Sequence, residues 1–420
     1  MIAVVKDSWA LLLGLLLLMV GNGLQGTLLG VRGALEGMTP GELSWVMSAY
    51  FAGFLFGSRA APEMLRRVGH VRVFAALASL ISAAFILYAA APSVGLWAAM
   101  RLLVGFCFAG VYVTAESWLN ERADNDTRGQ AMSAYLIVQM GGLVAAQFLL
   151  NLADPGGYLL FILISVLVSI SFAPILLSVT PTPAFQAGER LTLRELWRVS
   201  PLAAVGAPLL GAAYSALLGM SAVYGAEAGL SVAQISLFVS AVFAGGLVLQ
   251  WPIGWLSDRM DRRRLIVALT SGGAAGGFLG GFAESWFPLI LAAGAAVGAA
   301  AGPLYGLLIA HAADHLPRER MAAASAGLVF LNGAGAVLGP LGVGWLLAEV
   351  GPRAFFLFLF GMMAFISVYG LYRMSRRAAP GVEAQGPYAR VSPSATAFSV
   401  GAAQEGARDR RAEATEPEAA

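Results

Sequence analysis

Arg101 lies inside an apolar run, Val94–Leu119, long enough to cross a bilayer. A charge at membrane depth costs at least about 2.5 kcal/mol, and more if it faces lipid, so such a side chain faces a protein interior or water. Two readings of it stand. It either ties its helix to a neighbour by hydrogen bonds, or it offers its planar, permanent charge to an anionic or acceptor-rich group or to a coupling proton. Glu116, near the other end of the same run, is an acid suited to an ion pair at the membrane face or to proton coupling. The ion pair is the favoured reading. His70, His311 and His315 show no metal-ligand spacing. The single cysteine, Cys107, allows no disulfide framework and no cysteine-based zinc site. The glycine-rich stretch 271–281 follows no strand and lacks the Lys-Ser/Thr of a phosphate loop, whereas its four-residue glycine spacing suits close helix packing. No Ser/His/Asp or Cys/His set converges, so the chemistry points to binding rather than catalysis, with no enzyme activity, metal or cofactor expected.

The elements that position these residues follow from composition. The chain of 420 residues is 58% hydrophobic and 12% charged, against roughly 25% charged in a soluble domain. Twelve membrane-length apolar runs succeed one another, from Trp9–Leu29 to Ala354–Met374. Nearly all of the 26 basic residues fall on alternate connections, among them Arg66, Arg67, Arg128, Arg190 and Arg259. The positive-inside rule then places both termini in the cytoplasm. Residues 1–179 read as one six-helix half, 180–200 as a cytoplasmic linker and 201–376 as a second half. Within the linker, apolar residues at 191, 193, 196, 197 and 199 fit either a short surface helix or a solvated connection. The tail, 377–420, is rich in Pro, Ala, Ser and charge and is expected to be disordered. The halves repeat weakly: Arg128 with Ser133-Ala134, and Arg320 with Ser325-Ala326, lie 192 residues apart. Two parallel six-helix repeats form a known transporter arrangement.

The densest charge is the island Gly254-Trp-Leu256-Ser-Asp258-Arg259-Met-Asp261-Arg262-Arg263-Arg264, a hairpin loop between two runs. Gly254, Leu256, Asp258, Arg259, Arg262 and Arg263 match the loop signature of the major facilitator superfamily, with Asp261 in place of its second glycine. Arg101-Leu-Leu-Val-Gly105 resembles that family's fourth-helix pattern. Gly335 to Pro340 is similar to its antiporter signature, but stands on the eleventh run instead of the fifth. The fifth run reads Gln139-Met-Gly141-Gly142 without proline, so antiport is not implied. Glu116-Ser-Trp-Leu-Asn-Glu121-Arg122 resembles the YcaD-like branch.

This resemblance covers about residues 8–376. It implies an all-α integral membrane fold of twelve helices in two pseudo-symmetric halves, and a secondary transporter working by alternating access, ion- or proton-coupled. The competing class is a transporter-derived sensor or partner-binding scaffold that moves nothing. Opposite helix directions bring Asn22 and Gln25 of the first run level with Arg101, about 10 Å below the surface. The resemblance adds Tyr214 and Tyr305 from the seventh and tenth runs, with Gln139 and Asn332 below. It also implies an inner-face latch made of the Gly254 island, with Asp258 facing Arg128 at the start of the fifth helix. Expected partners are a small-molecule substrate and membrane lipid, not nucleic acid, and the chain is expected to act as a monomer in the inner membrane.

Overall fold

A computed structural model of the chain describes residues 2–122, 125–177, 193–284, 286–316, 320–376, 385–396, 399–401 and 403–407. Among these residues the regular elements are helices. The first half holds α1 (Ile2–Leu35), α2 (Pro40–Val68), α3 (His70–Ala90), α4 (Val94–Arg122), α5 (Asn125–Leu149), α6 (Leu159–Ser171) and α7 (Ala173–Leu177). The short α8 (Leu193–Val199) precedes α9 (Pro201–Gly219), α10 (Ser221–Glu227), α11 (Val232–Ser257), α12 (Arg262–Gly281), α13 (Phe287–Ala313), α14 (Met321–Val350) and α15 (Arg353–Arg376).

With α6–α7 and α9–α10 each counted as one broken rod, these make the twelve spans. The first break falls beside Pro174, which cannot donate a helical hydrogen bond. Ten of the spans are long and apolar enough to cross a membrane by that measure alone. The other two, α2 and α12, are diluted by Arg66 and Arg67 in one and by Arg262, Arg263 and six glycines in the other. Those glycines set packing distance. A Cβ at Gly273 or Gly276 would come 2.7 or 2.9 Å from Ala300 or Ala296 of α13, and one at Gly277 2.7 Å from the backbone of α15. As the spacing suggests, α12 is wedged between two helices.

The pairings repeat. α2 packs on α4 as α11 does on α13, α1 on α5 as α9 on α14, and α3 on α6 as α12 on α15. The register of the repeat shows at the turns. Thr39 and Glu42 form a capping box on α2, and Ser231 with Gln234 forms one on α11, 192 residues along. The same offset relates Gly37 (φ 77°) to Gly229 (φ 70°), both in the left-handed region that favours glycine.

The two ends of the bundle differ. At the end carrying the Gly37 and Gly229 turns the halves touch directly. An added Cβ at Gly30 would come within 2.8 Å of Ala222, and one at Gly344 within 2.2 Å of Ser44. The Asn151 amide also donates to Ser236 Oγ at 3.0 Å. At the other, arginine-rich end, residues 385–396 lie between the halves. The described part of the tail, expected to be disordered, is placed against the bundle. Val391, Ala395, Val400 and Ala407 are buried, polar groups of the second half bond the tail's backbone, and Glu116 of the first accepts from the Thr396 hydroxyl. Residues 377–384, 397–398, 402 and 408–420 lie outside the described residues, as do 180–192 of the expected linker. The linker's second half does form a helix, α8, with Leu196 buried against α14 and Trp197 exposed.

Candidate functional site

A cavity opens between the halves at mid-depth, and Arg101 of α4 is in its wall with Asn22, Tyr50, Tyr112, Tyr214 and Asn332. Arg101 is buried. Its Nη1 donates to Gln25 Oε1 at 2.9 Å and its Nη2 to Met47 Sδ at 3.0 Å. The guanidinium carbon lies 4.8 Å from the centre of the Tyr50 ring, a cation–π contact. Among the described residues no carboxylate pairs with Arg101, and its Nε lacks a hydrogen-bond partner. The charge is thus held by an amide, a thioether and a ring face, an incomplete set of acceptors for a fork of five donors.

The amide of Asn22 reaches across to the hydroxyls of Tyr50 and Tyr112 at 3.3 and 3.5 Å. Gln25 stands behind Arg101, not in the cavity wall. Tyr112 lies eleven residues after Arg101, three helical turns on and on the same face of α4. That spacing was the available signal for it. Tyr50 belongs to the second span, which the family pattern does not assign to the cavity. Tyr305 was expected in the wall but is fully enclosed elsewhere on α13, its hydroxyl unpartnered among the described residues. Tyr305 shares a face of α13 with Gly298, Ala301 and Gly302, which line a second, smaller cavity, but lies one turn beyond them and is covered. Gln139 is also buried away from the cavity wall and donates to the Tyr135 hydroxyl at 3.4 Å.

One further turn toward the arginine-rich end, α4 carries Glu116, with no exposed surface. One carboxylate oxygen accepts from Tyr135 OH at 2.8 Å, the other from the Thr396 hydroxyl of the tail. Among the described residues the partners of Glu116 are thus hydroxyls, where an ion pair with an arginine was the favoured expectation. With Tyr135 and Gln139 it forms a polar chain within an otherwise apolar bundle.

The Gly254 island lies at the arginine-rich end. Arg262 is 1% exposed at its side chain and Asp314, at the end of α13, 2%. They form a direct ion pair. Arg262 Nε also donates to Ser257 Oγ at 3.0 Å and Nη1 to Ala310 O at 3.3 Å. Burial pushes the Asp314 carboxyl above its ordinary pKa, and the Arg262 charge opposes that rise. Arg263 pairs with Asp261 at 3.0 Å, and Arg259 lies 4.2 Å above the Trp255 ring. Burial would raise the Asp261 pKa, but its hydrogen bonds from Arg263 prevail and hold it low.

Asp258 was expected to face Arg128. The Arg128 side chain lies outside the described residues, and the placed partners of Asp258 are the Tyr388 N–H at 2.8 Å and Arg262 at 3.7 Å. Gly254 meets the ring of Tyr388, where an added Cβ would lie 2.9 Å from Cδ1. The tail was the part of this region that sequence reasoning missed, since much of its contact is through its backbone.

Comparison with known proteins agrees with this architecture. The family model of the Major Facilitator Superfamily matches residues 11–233 and, a second time, 209–404. An uncharacterized MFS-type transporter of Enterobacter sp. (strain 638) is 27% identical over 374 residues, covering 86% of this chain and 94% of that protein. The uncharacterized MFS-type transporter YcaD of Salmonella newport (strain SL254) is 26% identical over 378 residues, covering 88% and 95%. Among solved structures, the nucleoside transporter NupG (D323A mutant) superposes with a TM-score of 0.76 at 13% identity, covering 87% of this chain and 99% of that one.

Proposed function

The chain belongs to the Major Facilitator Superfamily, and on that premise we propose that it moves a small organic molecule bearing an anionic or acceptor-rich group, by alternating access, driven by a proton gradient. One observation carries the substrate class: a buried guanidinium in the wall of the central cavity, without a carboxylate partner among the described residues. The aromatic rings of Tyr50, Phe51, Phe54, Tyr112, Tyr214 and Phe243 in the same wall suit an apolar or planar remainder. The halves, 1–179 and 201–376 joined by the linker 180–200, rock about that cavity.

Glu116 supports the proton. A buried acid facing the bundle interior is a functional group by default, and its partners are neutral hydroxyls, so both its charged and its protonated forms can be accommodated. Glu116 lies fifteen residues beyond Arg101 on α4, about 22 Å along the helix axis. The substrate site and the proton site are therefore separate.

Purified protein in liposomes loaded with a pH indicator tests this. Addition of organic anions, aromatic carboxylates first, is expected to produce a proton movement that Glu116→Gln abolishes while ligand-induced thermal stabilisation persists. If Glu116→Gln left the proton movement unchanged, coupling through this residue would be wrong. No flux of any anion in wild type would favour a sensor instead.

The orientation is tested separately. With the arginine-rich loops inside, reporters fused after Arg377 or placed near Arg190 read cytoplasm, and one after Glu36 reads the outside. An outside signal near Arg190 is incompatible with the two-half arrangement.

A further inference from the structure

We propose that the arginine-rich mouth of the cavity is a binding site for a segment of the chain's own C-terminal tail, residues 385–396, which docks there as a releasable plug and holds the halves apart at that end. The segment enters as an extended peptide, and its anchors are read in order from the mouth inward. The Gly386 carbonyl accepts from Arg262 Nη2, and its N–H donates to Asp314 Oδ1 at 3.0 Å. The Tyr388 N–H donates to Asp258 Oδ1 at 2.8 Å. Its ring sits between glycines of α11 and α13, where side chains at Gly254 or Gly306 would exclude it, and its hydroxyl donates to Pro303 O at 3.2 Å. Deeper in, Asn332 donates to Pro393 O at 2.7 Å and the Thr396 hydroxyl donates to Glu116.

Two features make this a ligand site rather than one more packed strand of the fold. First, the peptide bridges both halves, Glu116 on α4 and Asn332 on α14. The halves cannot approach at this end while it is present, so the plug selects one conformation by steric exclusion. Second, its innermost residues, Pro393, Ser394 and Ala395, line the cavity that holds Arg101. It therefore occupies the route between the mouth and the central site. The recognised ligand is an extended peptide with small residues at its tip and one aromatic residue at its neck, bound mainly through its backbone. That occupancy of this route blocks transport rests on the function proposed above; the docking of the segment does not.

Thiol accessibility in the full chain tests docking without any substrate. In a Cys107→Ala background, Ala395→Cys places a thiol at a position 5% exposed, and Glu63→Cys, on the exposed end of α2, gives the reference. The probe is a polar maleimide on detergent-purified protein. Ala395→Cys is expected to react at least about tenfold more slowly than Glu63→Cys. Adding Tyr388→Ala, which removes the neck anchor, is expected to speed it by at least about tenfold, the population change that about 1.4 kcal/mol brings. Reaction of Ala395→Cys at the reference rate without the second substitution overturns docking. Protection that survives both Tyr388→Ala and Asp258→Asn overturns release, and the segment is then a fixed part of the bundle. The thiol readout needs no substrate and leaves Glu116 unchanged, so docking can fail while the proton movement stands.

Discussion

Asp314→Ala is expected to lower the unfolding stability of the purified protein by about 3–5 kcal/mol, the penalty for leaving one member of a buried ion pair without its partner. The physical reason lies in the asymmetry of the pair. Arg262 is 1% exposed and cannot lose its proton, so without Asp314 its charge stays buried against Ser257, Ala310 and a tail carbonyl, with only the solvent-exposed Asp258, at 3.7 Å, as a remaining carboxylate partner. The reverse deletion, Arg262→Met, is expected to be milder. Burial already pushes the Asp314 pKa up, and once the arginine is gone the carboxyl can take up a proton instead of remaining charged. Arg262→Met with Asp314→Leu, which replaces both ions by apolar side chains, is expected to recover much of the loss. The cluster of Glu63 with Arg66 and Arg67, at 2.8 and 2.5 Å, is the control. It is fully solvated, and although the two arginines hold the Glu63 carboxyl down at about 2, its removal should hardly move the transition. Denaturant midpoints in detergent give the ranking. Equal midpoints for Asp314→Ala and Glu63→Ala would mean that the pair at the end of α13 is screened by solvent and contributes no more than a surface pair.

Much of this architecture was legible because the bilayer imposes it. Twelve apolar runs separated by arginine-bearing loops leave few alternatives once each backbone polar group must be satisfied within the span. Arg101 was legible for the same reason, since its burial demanded an interior role, and the structure gives it one with Gln25, Tyr50 and Met47. The repeat was harder to see. Thr39 with Glu42 and Ser231 with Gln234 share a capping geometry but no residue identity, and the positive φ of Gly37 and Gly229 repeats the 192-residue offset that Arg128 and Arg320 show only weakly in sequence. Tyr305 shows the limit of assigning a site by span, because a residue on a lining helix can still be covered by its neighbours. The tail shows a different limit. Its composition resembles a disordered segment, yet Gly386, Tyr388 and Pro393 are held through main-chain groups that composition does not encode.

Arg101→Gln is expected to weaken binding of an anionic ligand roughly tenfold to 150-fold, the range for losing a hydrogen bond to a charged group, while leaving the protein folded. Glutamine can keep a hydrogen bond to Gln25 Oε1 but brings no charge to the cavity that Arg101 shares with Asn22 and Tyr112. Arg101→Lys separates charge from shape. The ammonium can still attract an anion, but it cannot donate to Gln25 and Met47 at once while lying flat, 4.8 Å from the Tyr50 ring centre. A ligand that needs only positive charge tolerates lysine; one gripped by two parallel hydrogen bonds loses affinity with lysine as with glutamine. A purely structural role for Arg101 predicts the opposite pattern. Both substitutions would then lower the melting midpoint by breaking the link between α4 and α1, and ligand-induced stabilisation, once corrected for that loss, would be unchanged. Thermal-shift titration of wild type, Arg101→Lys and Arg101→Gln with aromatic carboxylates distinguishes these cases. Wild-type affinity in both folded variants would remove Arg101 from the substrate site.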